Sequence, residues 1–202
     1  YYAHHLNPEG IADTMAARRE WINEIYQGKV YHQEPMYVYL LAATYRLFGL
    51  DPNWIYLWQL LLGACTNVLV FLIVRRYFGS LTGLLAAVVV MISGPIMVFQ
   101  MTILRTSLTA FLTLLLLFYY QKMLDNQDRK SQLIFGAVAG VSMLTQSYFL
   151  LFFMPAMAWY AWQNRRDVKK TAIGLGYIIG ALMLIMLPLF IRNVKVGAPM
   201  TA

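Results

Sequence analysis

The amino-acid sequence predicts an all-α, polytopic membrane protein with about five transmembrane helices and additional surface helices on the extracytoplasmic side. Two observations support this fold class. Hydrophobic residues make up 60% of the chain and charged residues only 12%, which is about half the charged share of a typical soluble domain. Several uncharged runs also reach the ~20 residues that a helix needs to cross ~30 Å of hydrocarbon.

Residues 1–53 are predicted to form one extracytoplasmic loop that carries two surface helices. The first helix covers residues 8–27. Asn7 suits the cap of this helix, Pro8 its first position and Gly28 its stop. Apolar and acidic side chains recur at helical spacing on different faces, the first set being Ile11, Met15, Ile22 and Ile25 and the second Glu9, Asp13, Glu20 and Glu24. The helix is therefore amphipathic, with its apolar side on lipid or protein.

The second surface helix is predicted over residues 36–48, lying in the outer membrane interface. Four amphipathic aromatic residues favour this layer, namely Tyr37, Tyr39, Tyr45 and Trp54. Arg46 can extend its charged head to water while its aliphatic stem stays on apolar surface. If residues 36–49 crossed the membrane instead, residues 1–35 would fall in the cytoplasm, and we prefer the interfacial placement.

Residues 54–191 are predicted to form the transmembrane bundle. The expected spans lie in five uncharged stretches, one of which holds two short spans, near residues 54–74, 81–100, 104–121, 131–146 with 148–163, and 171–191. Nine of the sixteen basic residues fall in three loops, as Arg75 and Arg76; Lys122, Arg129 and Lys130; and Arg165, Arg166, Lys169 and Lys170. The positive-inside rule places these loops in the cytoplasm. The protein is then a multi-pass protein of the cytoplasmic (plasma) membrane, with residues 1–53 outside.

The run Ser131–Gln163 contains 33 uncharged residues, too many for one upright span and few for two. One span would place two basic loops on opposite faces of the membrane. Two short spans that turn near Gln146 and Ser147 keep both loops inside. Gly136 and Gly140 have the GxxxG spacing that lets a helix pack closely on a neighbour.

Charge, cysteine content and the chain ends complete the sequence-based description. The net charge of +7 follows from the basic loops, so we expect no nucleic-acid partner. The one cysteine, Cys65, lies in an apolar run and excludes a disulfide framework within this sequence. The chain starts with Tyr1 instead of Met, and residues 192–202 resemble the beginning of an extracytoplasmic segment. We therefore expect a fragment truncated at both ends.

The order of several motifs resembles the membrane glycosyltransferases of the GT-C fold. The nearest group is family 39 and the aminoarabinose-transferase-like enzymes, which include the protein O-mannosyltransferases. The matching pieces are Asp13 to Gly28, Tyr31-His32-Gln33-Glu34-Pro35-Met36-Tyr37, Tyr45-Arg46-Leu47-Phe48-Gly49, Gln59, and Leu187-Pro188-Leu189-Phe190-Ile191-Arg192-Asn193. The resemblance covers nearly the whole chain, and the order of the pieces is more specific than any one of them.

The resemblance implies an inverting transfer of a sugar from a polyprenyl-phosphate carrier to a lipid, glycan or protein acceptor outside the cytoplasmic membrane. Asp13 is the expected general base, since a positioned carboxylate can take the proton of an attacking hydroxyl. The alternative for Asp13 is ordinary solvation of an amphipathic helix. Ala17 stands where family members often have an aromatic residue, which weakens the match.

Four residues are candidates for substrate binding: His32 and Glu34 for the sugar or acceptor, and Arg105 and Arg192 for the carrier phosphate. Ordinary loop polarity is the alternative for the first two, and interfacial anchoring for the two arginines. A divalent metal is possible in this family. Some relatives carry an acid where this chain has Arg105, so the sequence leaves the metal undetermined.

Two other functional classes remain open at this point. A transporter or flippase would carry charged residues deep in its spans or paired broken helices near the midplane, whereas residues 54–74, 81–100 and 171–191 are uncharged. A structural membrane subunit without activity would use the acidic helix at residues 8–27 as an interaction surface.

Overall fold

The computed structural model describes residues 34–94, 98–99 and 101–197. This part of the chain contains helices and no strand, which confirms the all-α prediction for it. Its seven helices are α1 (Pro35–Phe48), α2 (Asn53–Phe78), α3 (Ser80–Met91), α4 (Thr106–Asn126), α5 (Arg129–Thr145), α6 (Phe149–Gln163) and α7 (Val168–Val196). Glu34–Met186 forms one compact unit, and the described residues from Leu187 onward belong to a second.

Three of these seven described helices are long and apolar enough to cross a membrane. They are α2, α4 and the stretch Val168–Lys195 of α7, with lengths of 26, 21 and 28 residues. Few of the side chains in their apolar windows are buried within the protein, so most of the apolar surface points outward, as lipid contact requires. Cys65, at the middle of α2, is one of these exposed residues. The chain is therefore a multi-pass membrane protein.

Helix α3 is shorter than the span that the sequence predicts over residues 81–100. It begins after Gly79, whose φ of +87° favours glycine, and it ends at Met91. The backbone leaves the α-helix at Ile92, where φ is −88° and ψ is 1°. The uncharged run is thus longer than the helix.

The 33-residue uncharged run is divided between α5 and α6. Asp128 precedes α5, and its side chain accepts a hydrogen bond from the Ser131 N–H at 3.3 Å, which caps the helix. At Gln146 the backbone becomes extended, with φ −154° and ψ 121°. Helix α6 begins three residues later, so the polar residues 146–148 connect the two helices.

The core of this unit lies among α4, α5, α6 and α7. Phe135 of α5 is fully buried and stacks on Phe153 of α6. Gly136 faces α7 so closely that an added Cβ would lie 2.2 Å from the Ile178 carbonyl oxygen. At Gly140 an added Cβ would lie 2.9 Å from the Ile185 Cβ. The GxxxG spacing therefore serves a close approach of the α5 and α7 backbones, as predicted.

Candidate functional site

A polar cluster lies where α1, α4 and the α5–α6 connection meet, and Glu34, Arg105 and Ser147 form it. Glu34 directly precedes α1, Arg105 directly precedes α4, and Ser147 lies between α5 and α6. Arg105 Nη1 donates to Glu34 Oε2. The other carboxylate oxygen, Glu34 Oε1, lies 3.4 Å from both the backbone nitrogen and the Oγ of Ser147. Glu34 thus joins two segments that are 71 and 113 residues away in sequence.

The cluster is partly shielded from solvent and carries both signs of charge. The side chains of Arg105 and Glu34 are 34% and 25% exposed. Burial by itself raises the pKa of the Glu34 carboxyl, but its own backbone N–H, the Ser147 N–H and the Arg105 charge lower it more. The pKa of Glu34 therefore lies below its ordinary value, and the carboxylate stays ionised at neutral pH.

A buried amide supports the cluster from α2. Gln59 is fully buried, and its Nε2 donates to the Tyr37 hydroxyl of α1 and to the Leu104 carbonyl oxygen, each at 3.1 Å. Because Leu104 directly precedes Arg105 and Tyr37 lies three residues after Glu34, these bonds fix both partners of the ion pair relative to α2. Buried polar groups of this kind need partners to be tolerated in an apolar helix.

Two polar atoms beside these bonds are buried without a hydrogen-bond partner in the described part of the chain. They are Gln59 Oε1 and Trp58 Nε1. The Trp58 ring also packs edge-on against Tyr37, with 6.0 Å between the ring centroids. The Gln59 Oε1 acceptor and the Trp58 Nε1 donor therefore remain unpaired next to α1, the helix that follows Glu34.

Side-chain hydrogen bonds to backbone carbonyl groups hold the chain around Arg105. Ser107 Oγ donates to the Phe99 carbonyl oxygen at 3.1 Å, which ties the start of α4 to the segment before it. Thr109 Oγ1 donates to the Arg105 carbonyl oxygen at 3.0 Å. The arginine is thus presented from a fixed position at the helix start, and its guanidinium retains donors besides the one that Glu34 uses.

The structure brings together only some of the residues that the sequence singles out. Glu34 and Arg105 are in direct contact. Arg192 lies on α7 in the second unit, where its Nη1 donates to Asn193 Oδ1 at 3.0 Å. Asp13 and His32 lie outside the described residues, so their roles stay predictions.

Sequence reasoning did not identify two relationships in this cluster. The first is the ion pair, although Glu34 and Arg105 are isolated opposite charges assigned to the same side of the membrane. The second is the hydrogen bonding of Gln59, which with Asn67 is one of two amides in the run of residues 54–74. An amide inside a span needs partners from other elements, and this was the available signal.

Arginine and carboxylate together can bind a phosphorylated sugar. A guanidinium offers planar, paired N–H donors that match phosphate oxygens, and an ionised carboxylate accepts hydrogen bonds from sugar hydroxyls. Among the described residues, no group of three or more His, Cys, Asp or Glu side chains is placed to hold a metal ion.

Comparisons with known proteins give one match. A family model described as dolichyl-phosphate-mannose-protein mannosyltransferase matches residues 32–191, a range that includes the whole polar cluster and six of the seven described helices completely. No curated protein and no solved structure matches the chain.

Proposed function

The chain belongs to the dolichyl-phosphate-mannose-protein mannosyltransferase family, and from this premise we propose that it transfers a sugar from a polyprenyl-phosphate carrier to a lipid, glycan or protein acceptor. We further propose that transfer inverts the anomeric centre and takes place on the outer side of the cytoplasmic membrane. The family makes the protein a membrane glycosyltransferase. The observation that carries the finer proposal is the partly exposed Arg105–Glu34 pair, which the positive-inside rule predicts to lie on the outer side.

The reaction requires a base and an anion site. The acceptor hydroxyl oxygen forms a bond to the anomeric carbon, while the bond between that carbon and the carrier phosphate oxygen breaks. The electron pair leaves with the phosphate, and the hydroxyl proton passes to a base. Asp13 is the proposed base, supported by its spacing from Gly28 and by its position in the predicted first outer loop.

Arg105 is the proposed contact of the departing phosphate. Negative charge develops on this group as the sugar leaves, and a cation already in position stabilises it without reorganisation. The ion pair with Glu34 supports this role, because the carboxylate orients the guanidinium while 34% of the arginine side chain stays exposed. Arg192 is a second proposed phosphate contact, and His32 and Glu34 are proposed to contact the sugar or the acceptor.

The distribution of charge in the spans favours an enzyme over a transporter. In the described parts of α2 and α4, the charged side chains lie in the last two turns, as Arg75 and Arg76 in α2 and Lys122 and Asp125 in α4. A transport site would place ionisable groups near the midplane. The middle of each of these two helices therefore carries no charged side chain.

The direct test is transfer of radiolabelled sugar by the full-length protein in membranes. A panel of polyprenyl-phosphate donors that differ in their sugar is incubated with the protein and with endogenous acceptors. We expect transfer from at least one lipid-linked donor and none from the corresponding nucleotide sugars. Transfer from nucleotide sugars alone, or from no donor, would contradict the proposal.

A further inference from the structure

An open recess of about 330 Å³ lies at the end of α6, lined by Trp162, Gln163, Arg165 and Arg166. Helix α6 begins two residues after Ser147 and runs for 15 residues, which corresponds to about 22 Å. The recess is therefore remote from the Glu34–Arg105 cluster. Its volume falls at the small end of the ~300–1,000 Å³ that is usual for ligand sites.

The backbone that carries the two arginines is fixed by hydrogen bonds. Asn164 Nδ2 donates to the Tyr160 carbonyl oxygen at 2.9 Å, and Thr171 Oγ1 donates to the Asn164 carbonyl oxygen at 2.9 Å. The Asp167 N–H also donates to the Asn164 carbonyl oxygen, at 3.0 Å. These hydrogen bonds hold the turn between α6 and α7 in one conformation, and Arg165 and Arg166 are adjacent in it.

Within the described part of the chain, no acid forms an ion pair with the two arginines of the recess. The two ion pairs of the described residues involve other arginines, Arg76 and Arg105. The nearest acid in sequence is Asp167, and its Oδ1 accepts from the Lys170 N–H at 2.9 Å, where it caps α7. The Arg165 guanidinium stacks over the Trp162 ring at 5.5 Å from its centroid, which positions it at the recess and leaves its edge donors for a ligand.

The surroundings place the recess at the boundary between lipid and water. Trp159 and Trp162 are 52% and 57% exposed, and their rings are 5.1 Å apart. Exposed apolar side chains, among them Leu151 and Met154, precede them on α6. Exposed tryptophans of a membrane protein favour the depth of the lipid headgroups, so the two guanidinium groups lie where phospholipid phosphates are found.

We infer that this recess is a binding site for the headgroup of an anionic phospholipid. The paired arginines fit the phosphodiester oxygens, and their joint positive charge disfavours a headgroup that carries its own cation, such as phosphatidylcholine. The acyl chains would run along the apolar surface of α6. The site is separate from sugar transfer, and its occupancy does not depend on the proposed function.

Native mass spectrometry of the full-length protein in detergent, titrated with phosphatidylglycerol, tests this inference. The double variant Arg165→Gln/Arg166→Gln removes the site. The matched control Lys169→Gln/Lys170→Gln removes the same charge from the first turn of α7. We expect about tenfold weaker binding of the lipid by the arginine variant than by the wild type or the control. Equal thermal midpoints without lipid show that both variants are folded.

Three outcomes would overturn the inference. An equal loss in both double variants would show that total charge alone attracts the lipid. Equal binding of phosphatidylcholine and phosphatidylglycerol would remove the anionic headgroup as the ligand. Competition by glycerol phosphate at the same concentration as the lipid would identify a site for soluble phosphate.

Discussion

Glu34 and Arg105 form an ion pair across 71 residues of sequence, and the same carboxylate reaches Ser147 with its second oxygen. One side chain thereby connects the start of α1, the start of α4 and the α5–α6 connection. The pair is partly buried, so removing one partner leaves a charge that neither protein nor solvent fully compensates. This dependence makes the cluster accessible to mutational tests.

Replacing Arg105 with alanine should weaken the binding of the lipid-linked donor. The variant loses the guanidinium donors proposed for the phosphate, and charge-assisted hydrogen bonds of this kind correspond to about tenfold or more in affinity. The measurement is the KM for the donor in the membrane transfer assay. Arg46→Ala is the control, because Arg46 lies exposed in the last turn of α1. An unchanged KM in Arg105→Ala, or an equal rise in the control, would move the phosphate site elsewhere.

The contribution of Glu34 to stability should depend on pH. Because the pKa of Glu34 is lowered in the folded protein, the unfolded chain takes up the proton more readily than the folded protein does. The stabilisation is fully present above the unfolded value, about 4.3, and is lost as the pH falls through the folded value. We expect the difference in thermal midpoint between wild type and Glu34→Gln to be largest at neutral pH and to shrink below about pH 4.5. A constant difference between pH 7 and pH 3.5 would contradict the assignment.

Gln59→Leu should destabilise the protein and reduce transfer together. The substitution keeps a side chain of similar size in α2 but leaves the Leu104 carbonyl oxygen and the Tyr37 hydroxyl without their donor, at a cost of about 1–3 kcal/mol. Tyr37→Phe removes only one of the two contacts and should cost less. A double-mutant cycle of the two substitutions, followed by thermal unfolding, measures the coupling between α1 and α2. Additive effects of the two substitutions would show that the Gln59–Tyr37 hydrogen bond does not couple α1 to α2.

Gly136→Ala should destabilise the contact between α5 and α7. The added Cβ would lie 2.2 Å from a backbone oxygen, that of Ile178, so the helices must separate, with a cost of about 1–3 kcal/mol. Gly180→Ala on α7 is the matched control, since nothing lies within 4 Å of its added Cβ. There the better helix propensity of alanine should be neutral or stabilising, by up to about 1 kcal/mol. Similar midpoints for both variants would mean that the two backbones are not in close contact.

Asp13→Asn should abolish sugar transfer while leaving donor binding intact. The amide keeps the size of the side chain but cannot take a proton, and the loss of a general base typically slows a reaction by about 10²–10⁴-fold. Glu20→Gln on the same proposed helix is the control and should retain activity. The readout is the rate of transfer at saturating donor. Normal turnover by Asp13→Asn would exclude this residue as the base.

The helical class followed from local properties of the sequence, whereas the site geometry did not. Hydropathy and run length are sufficient to predict helices such as α2 and α4, because each helix satisfies its own backbone hydrogen bonds. The end of α3 at Met91 lies inside a longer uncharged run, and hydropathy alone does not register where the backbone leaves the helix.

The pairing of Glu34 with Arg105 depends on how α1, α4 and the α5–α6 connection pack, and no periodicity within one segment contains that information. The same is true of Gln59, whose acceptors come from two other segments. The proposed roles of Asp13, His32 and Arg192 rest on the family resemblance and on chemistry, and the Asp13→Asn variant tests the first of them.

The position of Cys65 has a practical consequence for mapping the orientation of this chain in the bilayer. It is the only thiol in the sequence and lies exposed halfway along α2, about 20 Å of helix from either terminus of that segment. A nitroxide attached there reports on depth, since lipid-soluble oxygen relaxes it and a water-soluble paramagnet does not. Serine at this position then removes the thiol of α2, so that reporters can be introduced at Arg105 or Arg165 one at a time.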